Sequence, residues 1–309
     1  LYNQRWSINM KILILGTGKS GTTALLYKVA TGLPNCSVFS GGRPGKYSGD
    51  YENVAYKHTY EERKGKSFDL YKEHLQKEHY DRRIWIARDP RDAAVSRMLY
   101  RWHKLYWWHK GYTEKKKQYL AHLDLVLKKE REPRSIPFHL ICRYAGYNGW
   151  PISTEEVVEE ERVRYKRMSE FVKSLGKDWF FFTYEDMVGK NFDGLNQYLG
   201  FQAGEEAEVP TSTGKAKVVR KKAVGDWRHW FTEEDVALFT PAYLPYMEAI
   251  GYDCNDWALS PNPVIEPEYS SIYMKSLPKR KPFDLIRNLT DRVGRLSLIH
   301  ISEPTRPTT

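Results

Sequence analysis

The stretch Lys11–Ala30, KILILGTGKSGTTALLYKVA, sets the aliphatic run Ile12–Leu15 directly before a glycine-rich turn and an amphipathic continuation. An apolar run, a turn and then a helical period is the pattern of a buried strand feeding a helix. Gly16, Gly18 and Gly21 give the backbone freedom to bend, so that successive N–H groups point into one concavity, and the helix that begins there adds its positive end. Lys19 supplies a point charge, and Ser20, Thr22 and Thr23 supply hydroxyl donors. The turn reads as a cradle for phosphate or sulfate.

Outward from this stretch, short apolar runs at Ile12–Leu15, Ser37–Phe39, Val54–Tyr56, Ile84–Ala87 and Trp179–Thr183 read as buried strands. Helical patterns fall between and after them, at Thr22–Thr31, Ser67–Glu78, Arg91–Trp108, Thr154–Leu175 and Thr232–Ile250. Alternating strands and helices predict an α/β fold, a three-layer α/β/α sandwich with a central parallel sheet and a site beyond the carboxyl ends of its strands. The expected organisation is one domain over residues 10–257, with an inserted helix and covering loop at 110–150. A proline-rich basic tail follows at 258–295, and segments 1–9 and 296–309 are expected to be non-native or disordered.

The 309 residues carry 49 Lys and Arg against 39 Asp and Glu, a formal net charge of +10, which favours a polyanionic ligand. Cys36, Cys142 and Cys254 are odd in number and have no CxxC spacing, which argues against a disulfide framework or a zinc site and fits a reducing, cytoplasmic setting. No apolar run reaches the roughly 20 residues that span a bilayer. A Walker A loop would need glycine where this chain has Leu13, and the strand RRIWIA is followed by Arg88 rather than a magnesium carboxylate. Asp89, followed by Pro90, reads as a helix N-cap.

These residues carry a resemblance. GTGKSGTT resembles the 5′-phosphosulfate-binding loop PKSGTT of the sulfotransferase family, and RDPRDAAVS resembles that family's 3′-phosphate-binding motif. FFTYEDM (Phe181–Met187) resembles the strand whose tyrosine lies by the donor nucleotide, and RKKAVGDWRHWFT (Arg220–Thr232) resembles the closing RKGxxGDW segment. The resemblance spans most of Lys11–Thr232 and implies a P-loop-NTPase-like sulfotransferase fold. It also implies 3′-phosphoadenosine 5′-phosphosulfate as co-substrate and sulfuryl transfer to a hydroxyl or amine.

On this reading Gly18, Lys19, Ser20, Gly21, Thr22 and Thr23 hold the 5′-phosphosulfate, and Lys19 stabilises the leaving oxygen. Arg88, Ser96, Arg220, Lys221 and Lys222 surround the 3′-phosphate, and Tyr184 lies by the nucleotide. Each has a plainer alternative: an Arg88 ion pair with Asp89 or Asp92, a helix-packing Ser96, a buried strand tyrosine at 184. Lys222 stands where the family pattern has glycine, and Trp227 either stacks on adenine or plugs the core.

VAYKHTYEE resembles the family's KTH segment with the histidine one place early. A strand that has not yet ended would turn it to the opposite face. His58 is the expected base, with Glu61 or Glu62 as substitutes and a structural histidine as the alternative. No metal is required, because a sulfuryl group carries less charge than a phosphoryl group. The acceptor is a small molecule or glycan, selected by 110–150. No nucleic-acid partner and no membrane span are expected, and oligomeric state is open. A nucleotide kinase or NTPase and a non-catalytic polyanion-binding protein are the rival readings.

Overall fold

The computed structural model describes residues 9–40, 52–60, 78–102, 112–145, 151–210 and 221–276. Its centre is β1 (Lys11–Thr17), followed by α1 (Thr22–Thr31), β2 (Cys36–Ser40), β3 (Asn53–Tyr60), β4 (Arg82–Ala87) and α2 (Pro90–Tyr100). Next come α3 (Tyr112–Arg131), α4 (Phe138–Cys142), α5 (Thr154–Lys173), β5 (Trp179–Thr183), α6 (Tyr184–Gly189) and α7 (Asp193–Leu199). The described chain ends with α8 (Trp227–Trp230), α9 (Glu233–Ile250) and α10 (Ser271–Ser276). The strands form one parallel sheet in the order β2-β3-β1-β4-β5.

Burial on both faces explains the near-continuous apolar runs of β1 and β4, whereas β2, expected to be buried at Ser37–Phe39, is an edge strand and only half-buried to exposed. Ile12 and Ile14 pack with Leu25, Leu26 and Val29 of α1 and with Met187, Leu195 and Leu199 of α6 and α7. Leu13 and Leu15 face the other way, into a core with Val95 and Met98 of α2, Phe171 of α5 and Tyr243 and Met247 of α9. Trp85 and Ala87 alternate with Ile84 and Ile86 in the same sense on β4. The expected three layers are therefore present, and β1 has a paired strand on each edge and helices over each face.

Local chemistry fixes the helix starts. Ser153 and Glu156 form a capping box at α5, and Thr232 and Asp235 form one at α9. Asp235 also accepts from the Phe138 and His139 backbone N–H groups at 2.6 and 2.9 Å, seating α4 against α9. Asp89 caps α2 with Pro90 at its first position, as the sequence predicts.

β3 is longer than its apolar stretch Val54–Tyr56 suggests and runs through Tyr60. The helix expected at Arg91–Trp108 spans Pro90–Tyr100, residues 103–108 lie outside the described residues, and so does most of Ser67–Glu78. The packed body also reaches past residue 257. Ile265, Tyr273 and Met274 are buried in the core, the Tyr119 hydroxyl donates to the Met274 carbonyl at 2.8 Å, and Glu130 accepts from Ser271. The absence of a hydrophobic period hides this docking, because it rests on a few large side chains and long-range hydrogen bonds. No helix among the described residues is long and apolar enough to cross a membrane.

His122 of α3 is fully buried and accepts from the Trp102 indole N–H, and burial pushes its pKa down to about 3. The unfolded chain takes up this proton near the ordinary value of about 6.5, so stability is lost as pH falls from there toward 3. Thermal unfolding of wild type and His122→Gln at pH 7.5 and 5 should show a shallower acid loss in the variant.

Candidate functional site

The carboxyl ends of β1, β3, β4 and β5 converge on the turn Thr17–Gly21. Two kinds of constraint shape it. Gly16 lies in β1 beside Ile86, and a Cβ there would sit 2.6 Å from the Ile86 carbonyl oxygen, so its glycine permits close strand approach rather than bending the turn. The reversal is made by Lys19, at φ 77°, and Gly21, at φ 90°. A lysine in the left-handed region costs about 1–2 kcal/mol. Such strain at one charged residue is what a pre-shaped site stores.

Ser20 departs from its expected role. It is fully buried, and both its N–H and its hydroxyl donate to the Thr17 carbonyl, at 3.2 and 2.9 Å, so it builds the turn instead of lining it. Thr22 is buried and Thr23 half-buried in the first turn of α1, where backbone N–H groups have no intrahelical acceptor. Gly18 sits between the end of β1 and the strained lysine, half-buried. The Lys19 ammonium lies 4.0 Å from the centre of the Tyr100 ring, on the α2 side of the sheet.

Arg88, the residue after β4, bridges the elements. Its Nη1 donates to the Lys19 carbonyl at 3.0 Å, and its guanidinium lies 4.1 Å over the Tyr184 ring. Tyr184 in turn closes on the turn, since a Cβ at Gly21 would lie 2.8 Å from its ring. The structure thus brings Lys19, Gly21, Arg88 and Tyr184 together. It pairs Arg88 with neither Asp89 nor Asp92. Asp89 is held by Arg91 at 2.7 Å, and both Asp92 oxygens accept backbone N–H groups. Arg88 Nε is buried without a hydrogen-bond partner.

Three residues to which the sequence assigns no supporting role brace this group. Lys57, buried in β3, donates to Thr23 Oγ1 at 2.7 Å, leaving the threonine proton free to point elsewhere. Its signal was present, since it precedes His58 and follows Ala55 by two on the α1 side. Glu185 accepts the Asp89 N–H at 3.2 Å and the Tyr252 hydroxyl, and burial raises its pKa. Asp92 is 1% exposed, and burial, helped by Asp89, raises its pKa to about 7 against the pull of Arg88 and two N–H groups.

His58 shares its strand face with Tyr56, whose ring is parallel to it at 6.3 Å, and with Tyr60. It therefore lies on the α2 side, toward which Lys19 also extends, and opposite Lys57. Ser96 is half-buried on α2, and among the described residues its hydroxyl makes no hydrogen bond. Arg220, Glu61 and Glu62 lie outside the described residues.

Lys221 is engaged by Asp226 at 2.9 Å and Glu266 at 3.0 Å; burial works against its charge, but the carboxylates prevail and its pKa is raised. Lys222 pairs with Glu208 at 2.8 Å on the surface. Its backbone has φ 50°, a left-handed conformation that glycine takes most easily. Trp227 is 1% exposed beneath the Arg91 guanidinium at 4.1 Å and so plugs the core. Among the described residues, no group of three or more His, Cys, Asp or Glu is placed to hold a metal ion.

No model of a known protein family matches the sequence, and no curated protein does. Among solved structures the chain is similar to the mouse sulfotransferase SULT7A1 complexed with PAP, at 16% identity and a TM-score of 0.41, over 77% of this chain and 84% of that one.

The strained turn makes a direct prediction. Lys19→Gly relieves the left-handed backbone and Lys19→Ala does not, so Lys19→Gly should be the more stable by roughly 1 kcal/mol, read by denaturant titration.

Proposed function

We propose that the protein is a sulfotransferase that moves the sulfuryl group of 3′-phosphoadenosine 5′-phosphosulfate to a hydroxyl or amine acceptor. The observation that carries this reading is the knot of Lys19, Gly21, Arg88 and Tyr184 at the ends of three strands. A left-handed turn with a lysine at its apex suits one anion, and an arginine with a free buried Nε, held rigid on a tyrosine ring, suits a second.

Lys19, Gly21, Thr22 and Thr23 would bind the 5′-phosphosulfate, with Ser20 and Gly18 keeping the turn's shape and Lys57 orienting the Thr23 hydroxyl. Arg88 would take the 3′-phosphate, with Ser96, Arg220, Lys221 and Lys222 completing that side. Lys221 would have to exchange a carboxylate for the phosphate to do so. Tyr184 would orient the nucleotide.

When bound, the donor supplies an activated sulfur–oxygen bond. The acceptor oxygen or nitrogen would attack sulfur in line as the bond to the 5′-phosphate oxygen breaks, releasing adenosine 3′,5′-bisphosphate. Lys19 would neutralise the charge that develops on the leaving oxygen, drawn from its rest over Tyr100. His58, on the same side of the sheet, would take the acceptor proton, with Glu61 or Glu62 as its substitute. Fixed cations and backbone dipoles would serve without a metal. The acceptor would be a small molecule or glycan reaching the α2 side of the site.

Thermal shift with nucleotides tests the donor class. Adenosine 3′,5′-bisphosphate should raise Tm more than ATP with magnesium at equal concentration, and the reverse order would sink the reading. Arg88→Ala should weaken the bisphosphate by about one to two orders of magnitude while changing adenosine 5′-monophosphate little, measured by calorimetry.

A further inference from the structure

Asp92 has no part in the chemistry above, yet it joins two of the segments that chemistry uses. It stands four residues after Arg88 on α2, and its carboxylate spans the gap to the Lys221–Trp227 segment. Oδ2 accepts the Gly225 N–H at 2.8 Å and Oδ1 accepts the Trp227 N–H at 2.9 Å.

We propose that Asp92 is a positioning residue that docks the Lys221–Trp227 segment beside Arg88, so that selection of a 3′-phosphorylated nucleotide depends on a carboxylate that does not touch it. This inference rests on the donor assigned under the proposed function.

Three observations carry it. Both carboxylate oxygens are used, and by N–H groups only two residues apart, which Gly225 makes possible by turning the chain at φ 77°. A carboxylate can serve both donors, whereas an amide of the same shape accepts one and opposes the other. The docked segment is also internally braced. Lys221 bonds Asp226 at 2.9 Å, the Arg228 N–H returns to the Gly225 carbonyl at 3.1 Å, and Trp227 lies under Arg91, the neighbour of Asp92. Fixing Gly225 and Trp227 therefore fixes where Lys221 and Lys222 begin. Without the carboxylate, two buried N–H groups would lose their partners, and the basic segment would lose its registration on α2.

The test compares affinities for adenosine 3′,5′-bisphosphate and adenosine 5′-monophosphate by calorimetry at pH 8. Asp92→Asn should shrink the preference for the bisphosphate about tenfold and change the monophosphate less than about twofold. Met98→Ala, a core truncation on the same helix, should lower Tm and leave the preference intact. An unchanged preference in Asp92→Asn overturns the proposal, and so does an equal loss for both nucleotides, which would mark a purely structural role. A wild type without any preference overturns the donor reading and this inference together. If Asp92→Asn does not fold, hydrogen exchange on the wild type decides: the Gly225 and Trp227 amides should gain protection with the bisphosphate and not with the monophosphate. Equal protection by both overturns the proposal.

Discussion

A parallel strand with helices over both faces and partners on both edges has no spare direction for polar chemistry except its end. β1 is such a strand, with Ile12 to Leu15 all buried. The central groups proposed here accordingly sit at carboxyl ends: the strained turn after β1, Lys57 and His58 late in β3, Arg88 after β4, and Tyr184 after β5. The sheet acts as a jig. Its register sets Leu15 opposite His58 and Ala87 opposite Thr183, so the following residues arrive side by side without any contact of their own having to draw them together.

Charge balance around Arg88 follows from this geometry. Three carboxylates crowd the loop after β4, and each is engaged elsewhere: Asp89 by Arg91, Asp92 by two backbone N–H groups, Glu185 by the Asp89 N–H and Tyr252. Arg88 is left with a carbonyl and an aromatic face, partners that orient a guanidinium without cancelling its charge. An anion meeting Arg88 would therefore have no local carboxylate to displace. Lys221 is in the opposite condition, clasped by Asp226 and Glu266.

Much of the fold was legible because burial on both faces writes itself as short apolar runs. Thr22–Thr31 and Trp179–Thr183 were read with their observed limits. β3 extends past its apolar stretch because Lys57, His58 and Thr59 are polar residues on a strand, two of which, Lys57 and His58, are among the proposed site residues. The turn was legible from glycine, lysine and hydroxyl spacing. Its bend was credited to three glycines, whereas Lys19 shares the left-handed work and Gly16 serves strand packing. Asp92 and Glu185 were invisible as supports because their partners are backbone N–H groups far along the chain, which no local pattern encodes. The docking of Ile265, Tyr273 and Met274 escaped notice for the same reason.

The sequence distances across the site set the order in which it can assemble. Lys19 lies 69 positions from Arg88, Asp89 lies 96 from Glu185, and Asp92 lies 133 from Gly225. During synthesis the turn emerges first, and its partners follow only after most of the domain has been made. Loop closure over such spans needs the sheet to hold the ends in place. The cluster around Lys19 and Arg88 is therefore completed late in maturation, once the sheet that carries it has formed.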